Sequence, residues 1–405
     1  MNLNAVITPV DKTKQVGHKD LFLTQGVKTT AGAKVLHNFI PPYSATVVIR
    51  LEHQDLDTAA KLNCDAWAHG SSGENSDFGP ALNPWNPNYT PGGSSSGSAA
   101  AVAAGLVEFA TGTDTGGSIR LPASFCGVTG LKPTYGAVSR YGIIAMASSL
   151  DCPGLLTRDV STCRRLFPLI AGKDELDAIS QDPPITYPSK TKLKIGLPKE
   201  YFISGIDPQV NQAVKQAAQA LASQGHRLVD ISLPHTQYSV AVYYLIQTAE
   251  VASNLARYDG IRYGRTREHF GAEAKRRIML GTFALSAGYQ DKYYEQAARV
   301  RTLIIQDFDR AFRQVDVILA PVSPTPPFKL GEKIADPLTM YLSDILTIPA
   351  NLAGIPALAF PCGFTPGNLP IGLQLMGPRW SEEILFNLGE TYQSLTNWHL
   401  QKPKL

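Results

Sequence analysis

The stretch PGGSSSGSAAAVAAG (residues 91–105), followed by GTDTGGSIRLPASFCGVTGLKPTYG (112–136), is the most informative part of the chain for its architecture. It holds two clusters of glycine and hydroxyl residues, 92–98 and 112–118, and the small-residue segment between them (98–110) predicts a helix. Glycines of this kind let backbone N–H groups converge on a negative centre, because no Cβ obstructs them. Hydroxyl groups beside such a nest indicate a serine nucleophile with an oxyanion hole.

Other site motifs are weaker. Residues 93–97 match GxSxG, but the preceding NPNYTPG makes a poor strand, so we interpret the match as chance. A P-loop needs GK[ST] after its glycines, and none is present. A GxGxxG dinucleotide-binding loop is also missing. The eight histidines show no metal-ligand spacing, so no metal site is predicted. Without a suitable histidine, the base could be a neutral lysine, as in Ser-Lys variants of the catalytic triad.

Composition limits the functional classes. The 405 residues are 44% hydrophobic and 18% charged, which is typical of a globular protein. A net charge of +3 is too small to predict nucleic-acid or membrane binding by bulk electrostatics. Five cysteines form no CxxC pair, and no apolar run approaches the ~20 residues of a membrane-spanning helix. The start of the chain has no secretory pattern, so we predict a soluble, cytoplasmic protein without a membrane partner.

The second half of the chain predicts alternating strands and helices. Asp207 as N-cap and Pro208 at the first position begin a helix that ends before Gly225. Its apolar face has helical spacing and consists of Val210, Ala213, Val214, Ala217 and Leu221. Residues 240–312 predict mostly helix. Strands are predicted at 191–198, 226–233, 315–321, 356–364 and 371–377. The pattern indicates an α/β fold, and we expect residues 1–405 to form a single domain.

The two glycine-rich segments together resemble the signature of the amidase signature family. Within it the chain is most similar to the branch formed by A subunits of glutamyl-tRNA(Gln)/aspartyl-tRNA(Asn) amidotransferases. That narrower resemblance rests on residues 253–264, 275–304 and 341–364. It implies the amidase signature fold, a central mixed β-sheet covered on both faces by helices.

The resemblance also implies the roles of the site residues. Ser118 corresponds to the family's nucleophile, Ser94 to the bridging serine that follows a cis peptide bond, and Lys19 to the base. The backbone N–H groups of Thr115, Gly116, Gly117 and Ser118 correspond to the oxyanion hole. A lysine can act as a base only when neutral, which burial achieves by lowering its pKa.

Substrate and partners follow from the same resemblance. Arg277 and Asp344 correspond to residues that hold the α-carboxylate and α-ammonium groups of glutamine, although from sequence alone they could be a surface helix residue and a helix cap. The chain would hydrolyse glutamine to glutamate and ammonia. It would bind no cofactor itself. B and C subunits would complete a heterotrimer, in which the partner subunit uses ATP and Mg²⁺ and holds most of the tRNA.

The N-terminal region departs from the family pattern. The family's apolar strand before the lysine is reduced to Val16, Gly17 and His18, and the family's N-terminal helices are missing. We therefore expect Lys19 to lack the strand that buries it, and the chain to have impaired activity. Two alternatives stay open: a free-standing amidase acting on another small amide, and a truncated copy without catalytic activity.

Overall fold

The computed structural model describes residues 2–183, 190–202, 205–261 and 264–405. Within these residues eleven strands form one sheet. The strands are β1 Val6–Pro9, β2 Val16–Lys19, β3 Thr58–Leu62, β4 Phe109–Thr113, β5 Thr129–Lys132, β6 Pro153–Thr157, β7 Lys194–Pro198, β8 Arg227–Ile231, β9 Val317–Pro321, β10 Ala357–Phe364 and β11 Pro370–Met376.

The sheet is mixed. Its strand order is β1-β3-β2-β4-β6-β5-β10-β11-β9-β7-β8. β2 runs parallel to β3 and to β4, and β7 runs parallel to β8 and to β9. The strands from β4 through β9 in this order pair antiparallel. The central mixed sheet that the sequence predicts is therefore confirmed.

Helices cover both faces of the sheet. They are α1 Thr46–Glu52, α2 Ser96–Ala103, α3 Arg120–Cys126, α4 Val160–Ile170, α5 Pro208–Ser223, α6 Ser239–Asn254, α7 Ala272–Ala284, α8 Gln296–Phe312, α9 Pro337–Tyr341, α10 Ile348–Ala353 and α11 Glu382–Leu395. Alternate residues of β9 divide between two cores: Val317 and Leu319 join the core with α4, α5 and α11, and Ile318 and Ala320 join the core with α6, α8 and α10. This alternation is the period of a strand buried on both faces.

Local signals in the second half of the chain are confirmed. α5 begins after Asp207, whose side chain accepts a hydrogen bond from the backbone N–H of Gln209. The five apolar residues predicted for its inner face are all buried. Gly225 adopts a φ of +87°, in the left-handed region that favours glycine, just past the helix end.

The segment before Lys19 contradicts the expectation of a lost strand. All four residues of β2 are buried, and the strand pairs with β3 on one side and β4 on the other. Nδ1 of His18 lies 3.1 Å from Oγ1 of Thr111. A Cβ at Gly17 would lie 2.3 Å from Cδ1 of Leu62. Pairing with two neighbours, rather than apolar side chains of its own, makes this segment a strand, so the prediction that Lys19 lacks a burying strand is wrong.

The segment between the two glycine-rich clusters also differs from the prediction. The helix expected over 98–110 is α2, which ends at Ala103, and Phe109 already begins β4. Gly105 adopts a φ of +70°, which turns the chain from the helix towards the strand. A small-residue pattern predicts a helix but does not show where a buried strand replaces it.

Three further findings concern the described residues. No helix among them is long and apolar enough to cross a membrane. All five cysteines are buried and unbridged. No three His, Cys, Asp or Glu side chains in this part of the chain are arranged to hold a metal ion.

Candidate active site

Lys19 is the last residue of the central strand β2, and its side chain is 0% exposed. Its Nζ lies 2.7 Å from Oγ of Ser94 and 2.8 Å from Oγ1 of Thr113. Burial lowers the pKa of Lys19 to about 8, against the opposing effect of nearby acidic groups such as Cys64 and Asp65. A substantial fraction of this amine is therefore neutral near pH 8, as a general base requires.

Ser94 is held in place by close contacts of the backbone around it. The peptide bond between Gly93 and Ser94 is cis, as the family resemblance implies. The carbonyl of Ser94 accepts a hydrogen bond from the backbone N–H of Asp65, at 3.2 Å. A Cβ at Gly93 would lie 2.0 Å from Oδ2 of Asp65, so only glycine fits there. Ser94 itself is fully buried, and its hydroxyl is directed at Lys19.

Ser118 lies in the second glycine-rich cluster and is partly exposed, unlike Ser94. The two serine segments are in contact, because the backbone N–H of Ser95 donates to the carbonyl of Ser118 at 3.1 Å. A serine that is accessible to solvent and adjacent to a buried Ser–Lys pair has the placement of a nucleophile.

The predicted oxyanion nest needs one correction. The backbone N–H of Gly117 donates to Oδ1 of Asp114 at 2.8 Å, so this group is not free to bind an oxyanion. Within the described part of the chain, the N–H groups of Thr115, Gly116 and Ser118 have no hydrogen-bond acceptor. Three of the four predicted donors therefore remain available. The fourth N–H, that of Gly117, is already bonded to the carboxylate of Asp114. The motif GTDTGGS alone does not reveal this bond.

Asp114 and Arg120 fix the shape of this loop. The guanidinium of Arg120 lies 3.0 Å from Oδ2 of Asp114, and both side chains are 0% exposed. Burial alone raises the pKa of Asp114, but the charge and hydrogen bonds of Arg120 outweigh it and lower the pKa to about 2. Arg120 also donates to the side chains of Gln374 and Asn351. The loop is thus fastened to the C-terminal half of the chain.

Close packing explains the two glycines of the loop. A Cβ at Gly116 would lie 2.8 Å from the ring of Tyr243. Gly117 adopts a φ of +138°, and a Cβ there would lie 2.2 Å from Oγ1 of Thr347. That hydroxyl donates to the carbonyl of Gly116 at 2.7 Å. Any larger residue would push the nest away from its supporting side chains.

Asp344 lies beside this nest. Its Oδ1 is 3.4 Å from the position that a Cβ of Gly117 would take, and its Oδ2 accepts a hydrogen bond from the hydroxyl of Ser71. Burial raises the pKa of Asp344 to about 7, although the Ser71 hydrogen bond opposes this. The structure thus brings Asp344 to the nest predicted from the sequence, in a buried position rather than as a helix cap.

Arg277 is buried on α7 rather than exposed beside its basic neighbours. Its Nε lies 2.8 Å from Oε1 of Glu273, one helical turn earlier. Its guanidinium carbon lies 5.4 Å from the ring centre of Tyr244 and 5.8 Å from that of Tyr341. Burial disfavours the cation, but these partners outweigh burial and raise the pKa of Arg277. Arg277 is therefore a fixed, permanent cation.

A cavity of about 200 Å³ lies beside Arg277 and Ser71. Arg277 and Ser71 are among its lining residues, with His69, Tyr341 and Lys333. We call it the Arg277 cavity. Ser71, in the wall of the cavity, donates to Asp344, and Asp344 adjoins Gly117 of the nest. Its volume is several times that of a water molecule, so it has room for a small solute.

The comparison with known sequences establishes the family. The amidase family model matches residues 16–386, which include the Ser–Lys pair and both glycine-rich clusters. The chain belongs to the amidase family. Its mixed sheet is the fold of that family, as the resemblance predicted.

Several relatives of this amidase share one name, the A subunit of glutamyl-tRNA(Gln) amidotransferase. A protein of that name from Geobacter metallireducens is 53% identical over 408 residues, covering 96% of this chain and 84% of the relative. The protein of the same name from Myxococcus xanthus is 54% identical, covering 93% and 82%. The crystal structure of the Thermotoga maritima protein of this name superposes with a TM-score of 0.85 at 42% identity, covering 96% of this chain and 87% of that one.

Several contacts in this amidase were not predicted from the sequence. Thr113 contributes a second oxygen to Lys19, Ser71 binds Asp344, and Tyr244 and Tyr341 stack around Arg277. Thr113 lies inside the second glycine-rich cluster, where its hydroxyl was a visible signal. Ser71 and the two tyrosines are distant in sequence from the residues they contact, so only the fold brings them together.

Proposed function

We propose that the chain is the glutaminase subunit of a tRNA-dependent amidotransferase and hydrolyses glutamine to glutamate and ammonia. The observation that carries the proposal is the contact of buried Lys19 with Ser94, beside an accessible Ser118. The name shared by the relatives supports the tRNA-dependent reaction. It is a carbon–nitrogen ligase reaction in which glutamine is the amide donor.

The proposed chemistry uses a Ser–cis-Ser–Lys triad. Neutral Lys19 accepts a proton from Ser94 as Ser94 accepts one from Ser118, and Oγ of Ser118 attacks the side-chain amide carbon of glutamine. The free N–H groups of the nest bind the oxyanion. The relay returns its proton to the leaving nitrogen, and ammonia departs. Water then cleaves the glutamyl ester by the same relay, which yields glutamate and regenerates Ser118.

Substrate selection falls to two charged residues. We propose that Arg277 binds the α-carboxylate of glutamine and that Asp344 binds the α-ammonium group. The support is that both side chains are buried, that Arg277 lines the cavity, and that Asp344 is bound to Ser71, which lines the same cavity. A substrate with both α-groups fits this arrangement better than a simple amide, which disfavours a free-standing amidase of another specificity.

The ammonia would be used elsewhere. We propose that B and C subunits join this chain in a cytoplasmic heterotrimer, that a partner subunit uses ATP and Mg²⁺ to amidate Glu-tRNA(Gln), and that it holds most of the tRNA. The chain's small net charge of +3 is compatible with that division of labour. We further propose that residues 1–405 form a single domain, since strands near both ends of the chain belong to one sheet.

The alternative of a copy without catalytic activity loses its support. It rested on the expectation that Lys19 lacks a burying strand, whereas Lys19 is fully buried and 2.7 Å from Ser94. The expectation of impaired activity rested on the same premise. We therefore propose that the chain as it stands is active.

The test is ammonia release from glutamine by the chain purified with its B and C subunits. Ser118→Ala should reduce the rate at least about a thousandfold, because loss of a nucleophile leaves only binding and oxyanion stabilisation. Ser149→Ala, a hydroxyl outside the glycine-rich clusters, is the matched control and should retain the wild-type rate. A Ser118→Ala enzyme with a substantial residual rate would overturn the assignment.

A second measurement separates the two catalytic hypotheses. An amidotransferase subunit should convert Glu-tRNA(Gln) to Gln-tRNA(Gln) when glutamine, ATP and the partner subunits are present. A free-standing amidase would hydrolyse amides equally well with or without partners and would form no Gln-tRNA(Gln).

A further inference from the structure

His69 is a buried histidine whose ring nitrogens have no hydrogen-bond partner among the described residues. Its side chain is 0% exposed, and among the described residues neither Nδ1 nor Nε2 has a donor or acceptor within reach. A buried polar group normally has a partner, and leaving one unsatisfied costs free energy. An imidazole with two unpaired nitrogens therefore indicates a position where a ligand could supply the missing hydrogen bond.

A cavity next to His69 could hold that ligand. His69 lines the Arg277 cavity. Two residues later Ser71 lines the same cavity and donates to Asp344. The backbone of His69 is held, because its carbonyl accepts a hydrogen bond from Nδ2 of Asn75 at 2.6 Å. The main chain of His69 is therefore fixed, whereas its ring nitrogens have no partner in the described part of the chain.

The backbone just before His69 is in an unusual conformation. Trp67 and Ala68 have φ values of +59° and +61°, in the left-handed region that non-glycine residues rarely adopt. Strain of this kind persists where the surrounding structure imposes it and is often found at binding sites. Here the two residues directly precede His69, which lines the cavity.

We propose that His69 is a specificity-determining residue that donates a ring N–H to the α-carboxylate of the substrate, beside Arg277. This inference rests on the proposed function and deepens it. The substrate carboxylate then gains a donor in addition to the guanidinium, and a ring nitrogen without a partner among the described residues gains an acceptor.

The carboxylate is favoured over the ammonium group because His69 and Arg277 line the same cavity, so an anion bound by the guanidinium would occupy the cavity that His69 lines. Burial and the positive charge of Arg277 lower the pKa of His69 well below its usual value, so the ring is neutral and has one N–H donor for that anion. The ammonium group has Asp344, which is bound to Ser71.

The test compares glutamine with 4-aminobutanamide, which is glutamine without its carboxylate. In the complete complex, His69→Leu should raise KM for glutamine by about tenfold to a hundredfold, the usual effect of losing a hydrogen bond to a charged group. It should change KM for 4-aminobutanamide by less than about twofold. His69→Gln, which keeps an N–H donor, should recover part of the affinity for glutamine.

Gln247→Leu is the matched control. Gln247 is another fully buried polar residue without a partner among the described residues, but it does not line the cavity. Its replacement should leave both KM values unchanged. His69→Leu should melt no lower than the wild type, because it removes an unsatisfied buried group.

The outcomes are distinguishable. If the wild type hydrolyses glutamine and His69→Leu weakens both substrates equally, or neither, the inference is wrong while the proposed function stands. Calorimetric titration of glutamine into Ser118→Ala, with and without His69→Leu, measures the same loss of affinity without catalysis. A wild type that neither binds nor hydrolyses glutamine overturns the proposed function, and this inference with it.

Discussion

Nζ of Lys19 lies 2.7 Å from Oγ of Ser94, and neither side chain is exposed to solvent. Two elements far apart in sequence make this contact, since β2 carries the lysine and the residues before α2 carry the serine. Thr113, at the end of the neighbouring strand β4, adds a second oxygen 2.8 Å from the same nitrogen. The amine is thus fixed at its tip by two hydroxyl groups, in a place where burial keeps it partly neutral.

Catalysis should depend on the protonation of Lys19. Its pKa is lowered to about 8, so the amine is protonated below that pH and cannot accept a proton. At saturating glutamine, kcat should therefore rise with pH and level off above about pH 8. Lys19→Met should reduce kcat by about 10²–10⁴-fold and abolish this rise.

The matched control is Lys14→Met, which removes a partly exposed lysine paired with Asp57 at 2.7 Å. It should keep both the rate and the pH profile. A Lys19→Met enzyme with the wild-type profile would show that another group is the base.

The affinity for glutamine should depend on the protonation of Asp344. Burial raises its pKa to about 7, so below that pH the carboxyl is neutral and does not attract an ammonium group. KM for glutamine should increase as the pH falls through 7. Asp344→Asn should raise KM for glutamine at pH 8, yet leave KM for glutaramate, which lacks the amino group, nearly unchanged. Equal effects on the two compounds would exclude the ammonium contact.

Arg277→Ala should act mainly on KM. Loss of a buried charged partner costs about 2 kcal/mol or more, which corresponds to about a thirtyfold increase in KM for glutamine. Arg276→Ala is the control, because Arg276 pairs with the same Glu273 but its side chain is 43% exposed. That variant should change KM less than about threefold. If Arg277→Ala lowers kcat and leaves KM unchanged, Arg277 has a role other than substrate binding.

Gly281 should control the placement of Arg277. A Cβ at Gly281 would lie 1.9 Å from the carbonyl oxygen of Thr248, so α7 packs against the backbone of α6. Gly281→Ala should force the two helices apart, destabilise the protein by about 1–3 kcal/mol and raise KM for glutamine. Gly288 has a φ of +81°, and a Cβ there would meet open space. Gly288→Ala is therefore a control that adds backbone strain without displacing a helix. Denaturant titration and glutaminase kinetics measure the two effects.

Elements with complete local signals could be predicted from the sequence. Asp207, Pro208 and Gly225 mark both ends of α5, and the structure has the helix there. β2 could not be predicted in this way, because Gly17 and His18 have little strand preference of their own. Neighbouring strands bury them, and this is a property of the tertiary fold.

The candidate site likewise has residues that the sequence predicted and contacts that only the fold reveals. Motif resemblance assigned Lys19, Ser94 and Ser118, and the fold brings Lys19 and Ser94 into direct contact. The resemblance did not reveal that the N–H of Gly117 donates to Asp114, because this bond depends on side-chain geometry within the loop. His69 gave no signal in the sequence either, since an unpaired imidazole is recognised only when all of its neighbours are known.

The bond between Arg120 and Gln374 has a consequence for synthesis of the protein. These partners are 254 positions apart. At about 5–20 residues per second, roughly 13–50 s pass on the ribosome between them. During that interval the nascent chain carries the whole glycine-rich motif without the distant amide that helps to hold its guanidinium. An unfinished chain therefore contains Lys19, Ser94 and Ser118 before it contains one of the side chains that hold Arg120.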